Sequence, residues 1–198
     1  MKKIIAKPAA LFFLLASGLI AAKPTDDTIQ AKFRAQNGSV QVAGTSSLHD
    51  WTEKSDKGGG EATFSFNNDK LADLAALTFS VPAKSLKSEH NMMDNNTHKA
   101  LNAENNPNIT FVAGSGSVTP IDANTYSIKA SGRLTIAGNT RETEVIATGK
   151  VNADKSISVS GSKKFKMTEY GVKPPTAMFG TIKTGDEITI SYNLKFSR

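Results

Sequence analysis

Between residues 126 and 136 apolar and polar side chains alternate without a break. Tyr126, Ile128, Ala130, Gly132, Leu134 and Ile136 share one parity, and Ser127, Lys129, Ser131, Arg133 and Thr135 share the other. Side chains alternate across a β-strand, so this spacing predicts a strand with one apolar and one wet face. At ~3.4 Å per residue it would run roughly 35 Å, long for a strand. The middle of its apolar face is Ala130 and Gly132, where a solid core would want Val, Ile or Leu.

The same alternation recurs along the chain. Ile29, Ala31, Phe33 and Ala35 lead to Asn37-Gly38, which predicts a two-residue hairpin turn with Val40 and Val42 beyond it. The triple glycine Gly58–Gly60 marks a turn or a close backbone approach. Ala62, Phe64 and Phe66 form a strand closed by Asn67-Asn68-Asp69. Leu71–Ala76 reads as a helical turn, followed by Leu77, Phe79 and Val81 in alternation up to Pro82. One helical stretch is predicted over residues 84–106, capped by Ser88 and stopped by Asn105-Asn106-Pro107. Met93, Thr97, Ala100 and Leu101 share its inner face, while Asp94, Asn95, Asn96, His98 and Lys99 are expected to be wet.

Ile109 and Phe111 then open a strand that ends at Gly114-Ser115-Gly116-Ser117. After the long strand, Gly138-Asn139 turns the chain into Val145, Ala147, Gly149 and Val151. Ala153-Asp154-Lys155 turns it again into Ile157, Val159, Gly161, Phe165 and Met167, with a bulge expected near Ser162 unless Gly161 is itself inward. A proline-containing loop, Tyr170–Gly180, precedes the clearest strand: Ile188, Ile190, Tyr192, Leu194 and Phe196 against Thr189, Ser191, Asn193 and Lys195. Evenly spaced strands with one wet face predict an all-β fold, an extended antiparallel β-barrel of about eight strands with one helical insertion. Closure removes the edges that long strands would otherwise expose. Small inward residues at Ala62, Ala113, Ala130, Gly132, Ala147 and Gly149 imply a central cavity, since eight strands enclose about enough space for one ligand.

The N-terminus is organised differently. Lys2, Lys3 and Lys7 precede the apolar run AALFFLLA, and small residues follow up to Ala22. This is the layout of a secretory signal peptide over residues 1–22 and is short for a membrane span. The expected mature domain is 23–198, placed in the periplasm. Loss of those three lysines lowers the formal charge from +6 to +3. The remaining basic run Lys163-Lys164-Phe165-Lys166 is too short for a nucleic-acid stripe. Cysteine is absent, which excludes disulfides, thiolate metal sites and a cysteine nucleophile.

Catalytic signatures are sparse. No Gly-x-Ser-x-Gly elbow or phosphate-cradling glycine loop is present. Ser46, Ser47, His49 and Asp50 are adjacent on an extended chain, so they point to opposite faces and read as a capped mouth loop with Leu48 and Trp51 packed. His90, Asp94 and His98 repeat at four-residue spacing and could form the edge of a metal site, but a solvated helix face explains the same residues. No metal, cofactor or catalytic residue is therefore assigned. What remains is an apolar interior whose candidate ligand-binding residues are Phe64, Phe66, Phe79, Phe111, Ile128, Leu134, Ile136, Ile190, Tyr192 and Leu194. Bulky residues facing small ones on long strands suit a long apolar ligand, with ~0.8 kcal/mol gained per buried methylene. A filled structural or interaction barrel is the alternative.

Three motifs in order resemble a known family. They are Gly132-Arg133-Leu134-Thr135-Ile136-Ala137-Gly138-Asn139-Thr140, then Met93-Asp94 with Leu101 and Pro107-Asn108-Ile109-Thr110-Phe111 upstream of it, and Thr168-Glu169-Tyr170-Gly171-Val172 downstream. Together they resemble the YceI-like family of periplasmic, lipocalin-like polyisoprenoid-binding proteins, over residues 31–196. Departures fall at Asn102-Ala103-Glu104-Asn105, at the stretched Gly60–Phe64 segment and at Ser46–Trp51. The resemblance implies a lipocalin-like barrel holding an isoprenoid chain, a quinone or a polyprenyl phosphate, with no catalytic residues. The tail would lie in the barrel, and polar groups of the helix and the Tyr170–Gly180 loop would stand near the mouth. His49, Lys173 and Arg133 are within reach of a head group, although Arg133 faces outward by parity. Transient membrane contact and a homodimer are compatible with this reading.

Overall fold

The computed structural model describes residues 28–198, so the expected signal segment lies outside the described residues. The chain forms β1 (Thr28–Ser46), β2 (Trp51–Asn67), β3 (Lys70–Pro82), α1 (Asn91–Ala100), β4 (Asn108–Ala113), β5 (Gly116–Pro120) and β6 (Thr125–Ile136). It continues with β7 (Asn139–Val151), β8 (Ile157–Lys166), the short β9 (Thr176–Ala177) and β10 (Ile182–Ser197). Each pairing is antiparallel, and β1 pairs with both β2 and β10, which closes the sheet into a barrel. β4 and β5 occupy a single position between β3 and β6, one at each end, with the break at Gly114-Ser115. Eight staves result, as the alternation predicts.

Three local expectations are corrected. Asn37-Gly38 does not turn the chain. β1 runs through it, with Asn37 at φ 54°, and its register against both neighbours slips there. The extra residue is a bulge that moves the inward set from Phe33 and Ala35 to Val40 and Val42, odd to even, and keeps both halves apolar on the inside. Leu71–Ala76 is strand, not helix. β3 slips register against β2 twice, and the two bulges set Leu71, Leu74 and Leu77 inward at three-residue intervals, a spacing that imitates a helix. The bulge near Ser162 is absent: β8 pairs with β10 in unbroken register from Ile157 to Lys166, so Gly161 and Lys163 take inward positions.

Turn chemistry fares better. Asn68 and Asp69, both at positive φ, form the tight turn between β2 and β3, and Ala137-Gly138 does the same between β6 and β7. In β2, a Cβ on Gly60 would strike the Thr78 carbonyl and one on Gly58 would meet Phe79, so the triple glycine is a close approach and not a turn.

The helical insertion is shorter than the spacing predicts, ten residues in α1 after a single 3-10 turn at Ala83–Ser85. His90 takes the N-cap position. Ser88 does not cap; its backbone N and Oγ donate to Asp94 Oδ1 at 2.7 and 2.8 Å. Asp94, expected to be wet, is buried. Two apolar clusters sit in the barrel. Phe33, Phe64, Leu74, Ile157 and Phe196 fill one end. At the other, Leu86, Leu101, Phe165, Tyr170, Val172 and Ile188 join the walls to α1 and the Tyr170–Gly180 loop.

Candidate ligand cavity

Between the two clusters the barrel is hollow. A deep volume of ≈ 140 Å³ is lined by side chains of β1, β2, β3, β4, β6, β7, β8 and β10, and an outer volume of ≈ 560 Å³ opens beneath α1. Val42, Leu86, Ile109, Phe165 and Ile190 line both, so the two volumes adjoin. The outer volume alone falls within the range of small-molecule sites.

Nine of the ten candidate residues line this space. Phe64, Phe79, Phe111, Ile128, Leu134, Tyr192 and Leu194 face the deep part, Ile136 the outer part, and Ile190 both. Phe66 does not. It packs 6.0 Å from Phe33, with the Arg198 guanidinium over its ring, at the filled end of the barrel.

The small residues divide in the same way. Ala130 and Ala147 line the deep volume. A Cβ on Gly132 would instead strike the Val112 carbonyl and Ala113, and one on Gly149 would meet Ile128 Cδ1 at 2.5 Å. Ala62 and Ala113 are packed into the filled cluster. Those four positions let neighbours close in and do not make room for a ligand.

The mouth is built by α1 and two loops. Met93, Thr97, Ala100 and Leu101 of α1 face the cavity, as their spacing predicts. Ser46 Oγ accepts from the backbone N–H of Leu48 and His49 at 3.2 and 3.1 Å, which makes Ser46–His49 the capped mouth loop expected. Trp51 packs over Gly44 and donates its indole N–H to the Thr45 carbonyl, whereas Leu48 is exposed and not packed. His49 lines the outer volume; Lys173 and Arg133 are exposed and do not. Tyr170, Val172, Pro175, Thr176 and Ala177 close the remaining side. Met178 is exposed and Phe179 stands fully in solvent beside them.

His90, Asp94 and His98 do not converge. Asp94 turns inward to Ser88 and Lys87, and a ring nitrogen of His98 lies 3.0 Å from the Leu86 carbonyl. No cluster of three metal-ligating side chains occurs among the described residues.

The polar residue that sequence reasoning misses is Glu53. β2 carries it inward opposite Val42, 1% exposed, among the residues that line the outer cavity. Thr97 of α1 donates to its Oε1 at 2.6 Å. Burial pushes the Glu53 carboxyl up from 4.5 to about 7; the Thr97 hydrogen bond and Lys87 oppose this, and Asp94 adds to it. Asp94 shows the opposite balance. Burial would raise it, but the two Ser88 hydrogen bonds and Lys87 at 3.3 Å hold it below the ordinary carboxylate range. Tyr192, on the deep wall, is pushed by burial up to about 12, and its hydroxyl donates to the Ile146 carbonyl at 3.3 Å. The arrangement offers two adjoining, largely apolar volumes with a buried, near-neutral carboxyl group on the wall of the outer one.

Solved structures share this architecture. BcnA of Burkholderia cenocepacia is similar with a TM-score of 0.62 at 19% identity, covering 80% of this chain and 95% of its own. A polyisoprenoid-binding domain from Saccharophagus degradans gives 0.62 at 10% identity, covering 85% and 99%. The YceI protein of Campylobacter jejuni gives 0.52 at 21% identity, covering 69% and 80%. No curated protein sequence matches. The YceI-like domain family matches residues 23–196, and with the eight-stave barrel and its helical insertion this places the chain in that family.

Proposed function

We propose that this protein is a non-catalytic periplasmic carrier that sequesters a single isoprenoid lipid inside its barrel. The observation that carries the reading is the pair of adjoining, largely apolar volumes inside the barrel, the deep one lined by Phe64 and Leu194 and the outer one by α1 and Tyr170. The polyisoprenoid-binding designation of the Saccharophagus degradans neighbour supports the same ligand class. The tail occupies the deep volume, where each buried methylene contributes ~0.8 kcal/mol. Aqueous transit then needs no catalytic group, only shielding of the chain from water. The signal-like leader supplies the periplasmic address, and the exposed Leu48, Met92, Met178 and Phe179 around the mouth are suited to brief contact with a membrane during loading.

Mass spectrometry of organic extracts from the natively exported protein tests this. An isoprenoid near one equivalent is expected. Ala147→Phe, which places a ring in the deep volume, should remove it while the barrel stays folded by circular dichroism. Wild-type protein that is well folded and carries no lipid, and that takes none up on incubation with a polyprenol, would refute the carrier reading.

A further inference from the structure

We infer that Glu53 reads the polar end of the bound lipid, and that the site takes an isoprenoid with a neutral oxygen head group, a quinone carbonyl or a prenol hydroxyl, in preference to a phosphate. This rests on the carrier reading above and deepens it.

Three observations carry it. First, Glu53 is placed where head and tail must meet. It pairs across β1–β2 with Val42, which lines both volumes, while Glu53 itself lines the outer one. A tail in the deep volume leaves its polar end near this carboxyl. Second, among the described residues the outer lining contains no lysine or arginine; its ionisable groups are Glu53, Glu89, His49, His90 and Tyr170. The cation on the deep wall is Lys163, whose Nζ already donates to the Glu144 carbonyl at 2.9 Å. A phosphate drawn into this space would lose its water with no lysine or arginine among the described residues of the outer lining to replace it, an arrangement that disfavours entry. Third, the groups packed around Glu53 hold it ready to donate. Thr97 occupies Oε1, Lys87 is paired with Asp94, and the Asp94 carboxylate opposes a second negative charge nearby. Burial keeps Glu53 protonated up to about pH 7. Its Oε2–H can then donate to a carbonyl or hydroxyl oxygen, which needs no counter-ion.

The test holds the tail constant and changes the head. Delipidated protein is titrated with geranylgeraniol, with a naphthoquinone bearing the same geranylgeranyl chain, and with geranylgeranyl diphosphate, followed by the fluorescence of Trp51, the single tryptophan of the chain, at the mouth. At pH 6 both neutral lipids should bind at least about tenfold more tightly than the diphosphate. Raising the pH to 8 should weaken quinone binding by about tenfold, following the protonated fraction of Glu53. Glu53→Gln, whose amide still donates, should retain quinone binding and lose the pH dependence; Glu53→Ala should weaken binding of both neutral lipids and so narrow their margin over the diphosphate. Binding of the diphosphate as tight as that of the neutral lipids, or a pH dependence that survives in Glu53→Gln, would overturn the inference and leave the carrier reading standing. Failure of all three lipids to bind would overturn both.

Discussion

Burial of Glu53 makes a prediction about stability that needs no ligand. The perturbation is Glu53→Gln, which keeps the side-chain shape and an oxygen for the Thr97 hydroxyl but removes the titration. In the folded chain the carboxyl titrates at about 7, against an ordinary 4.5. Between those values the folded state holds a proton that the unfolded state has released. The native state therefore binds more protons, and stability falls as pH rises from about 4.5, levelling off above about 7, where both states are ionised. The interval, at ~1.4 kcal/mol per pH unit, bounds the effect at roughly 3 kcal/mol, of which about 2 kcal/mol falls between pH 5 and pH 8. Urea unfolding at steps across that range, read by Trp51 fluorescence, gives the difference between wild type and variant. Groups that titrate alike in both proteins, Asp94 among them, cancel in that difference. Glu53→Gln should gain about 2 kcal/mol on the wild type from pH 5 to pH 8. Parallel curves, with a difference independent of pH, would show that Glu53 is ionised in the fold and that the cavity is wet at that point.

Two further substitutions test the packing. Gly132→Leu should lower stability by about 1–3 kcal/mol through overpacking against the Val112 carbonyl and Ala113, with the urea midpoint as readout; an unchanged midpoint accompanied by lost lipid would mean that this position faces the cavity after all. Asp94→Ala leaves the Ser88 N–H and the Lys87 ammonium without their carboxylate and should cost about 2–3 kcal/mol at neutral pH, with hydrogen exchange rising first in α1. Because Asp94 is held below the ordinary carboxylate range, its contribution in the wild type is present above that range and is lost only as pH falls through the depressed value.

The barrel was legible because its signal is period two and repeats in nearly every stave. The errors cluster where that period is broken. A bulge costs one residue and reverses the parity of everything beyond it. At Asn37-Gly38 the reversal coincides with the commonest hairpin dipeptide, and the local turn signal gave no sign that the strand continues. In β3 two bulges space Leu71, Leu74 and Leu77 by three, so the inward face mimics one side of a helix. Only pairing with β2 distinguishes the two, and pairing is non-local. Small residues were ambiguous for a related reason. Ala147 and Gly132 read alike in sequence, yet one lines a hollow and the other admits a neighbouring backbone, and the difference lies in the strand alongside. Glu53 went unseen because the first half of β2, Trp51 to Lys57, is nearly all polar and shows no alternation to fix a face. Its one usable signal is phase: Glu53 lies two residues from Trp51 and two from Ser55, and these three point inward together. A carboxylate on the buried phase of a polar half-strand must be paired or neutral, because an isolated buried charge is too costly to keep. Among the described residues no basic side chain forms an ion pair with Glu53, which accepts a hydrogen bond from Thr97 and lines the outer cavity. The fold thus tolerates a destabilising acid where β2, α1 and the outer cavity meet, a placement that ties α1 to the wall and, under the proposed function, sets Glu53 beside a lipid's head group.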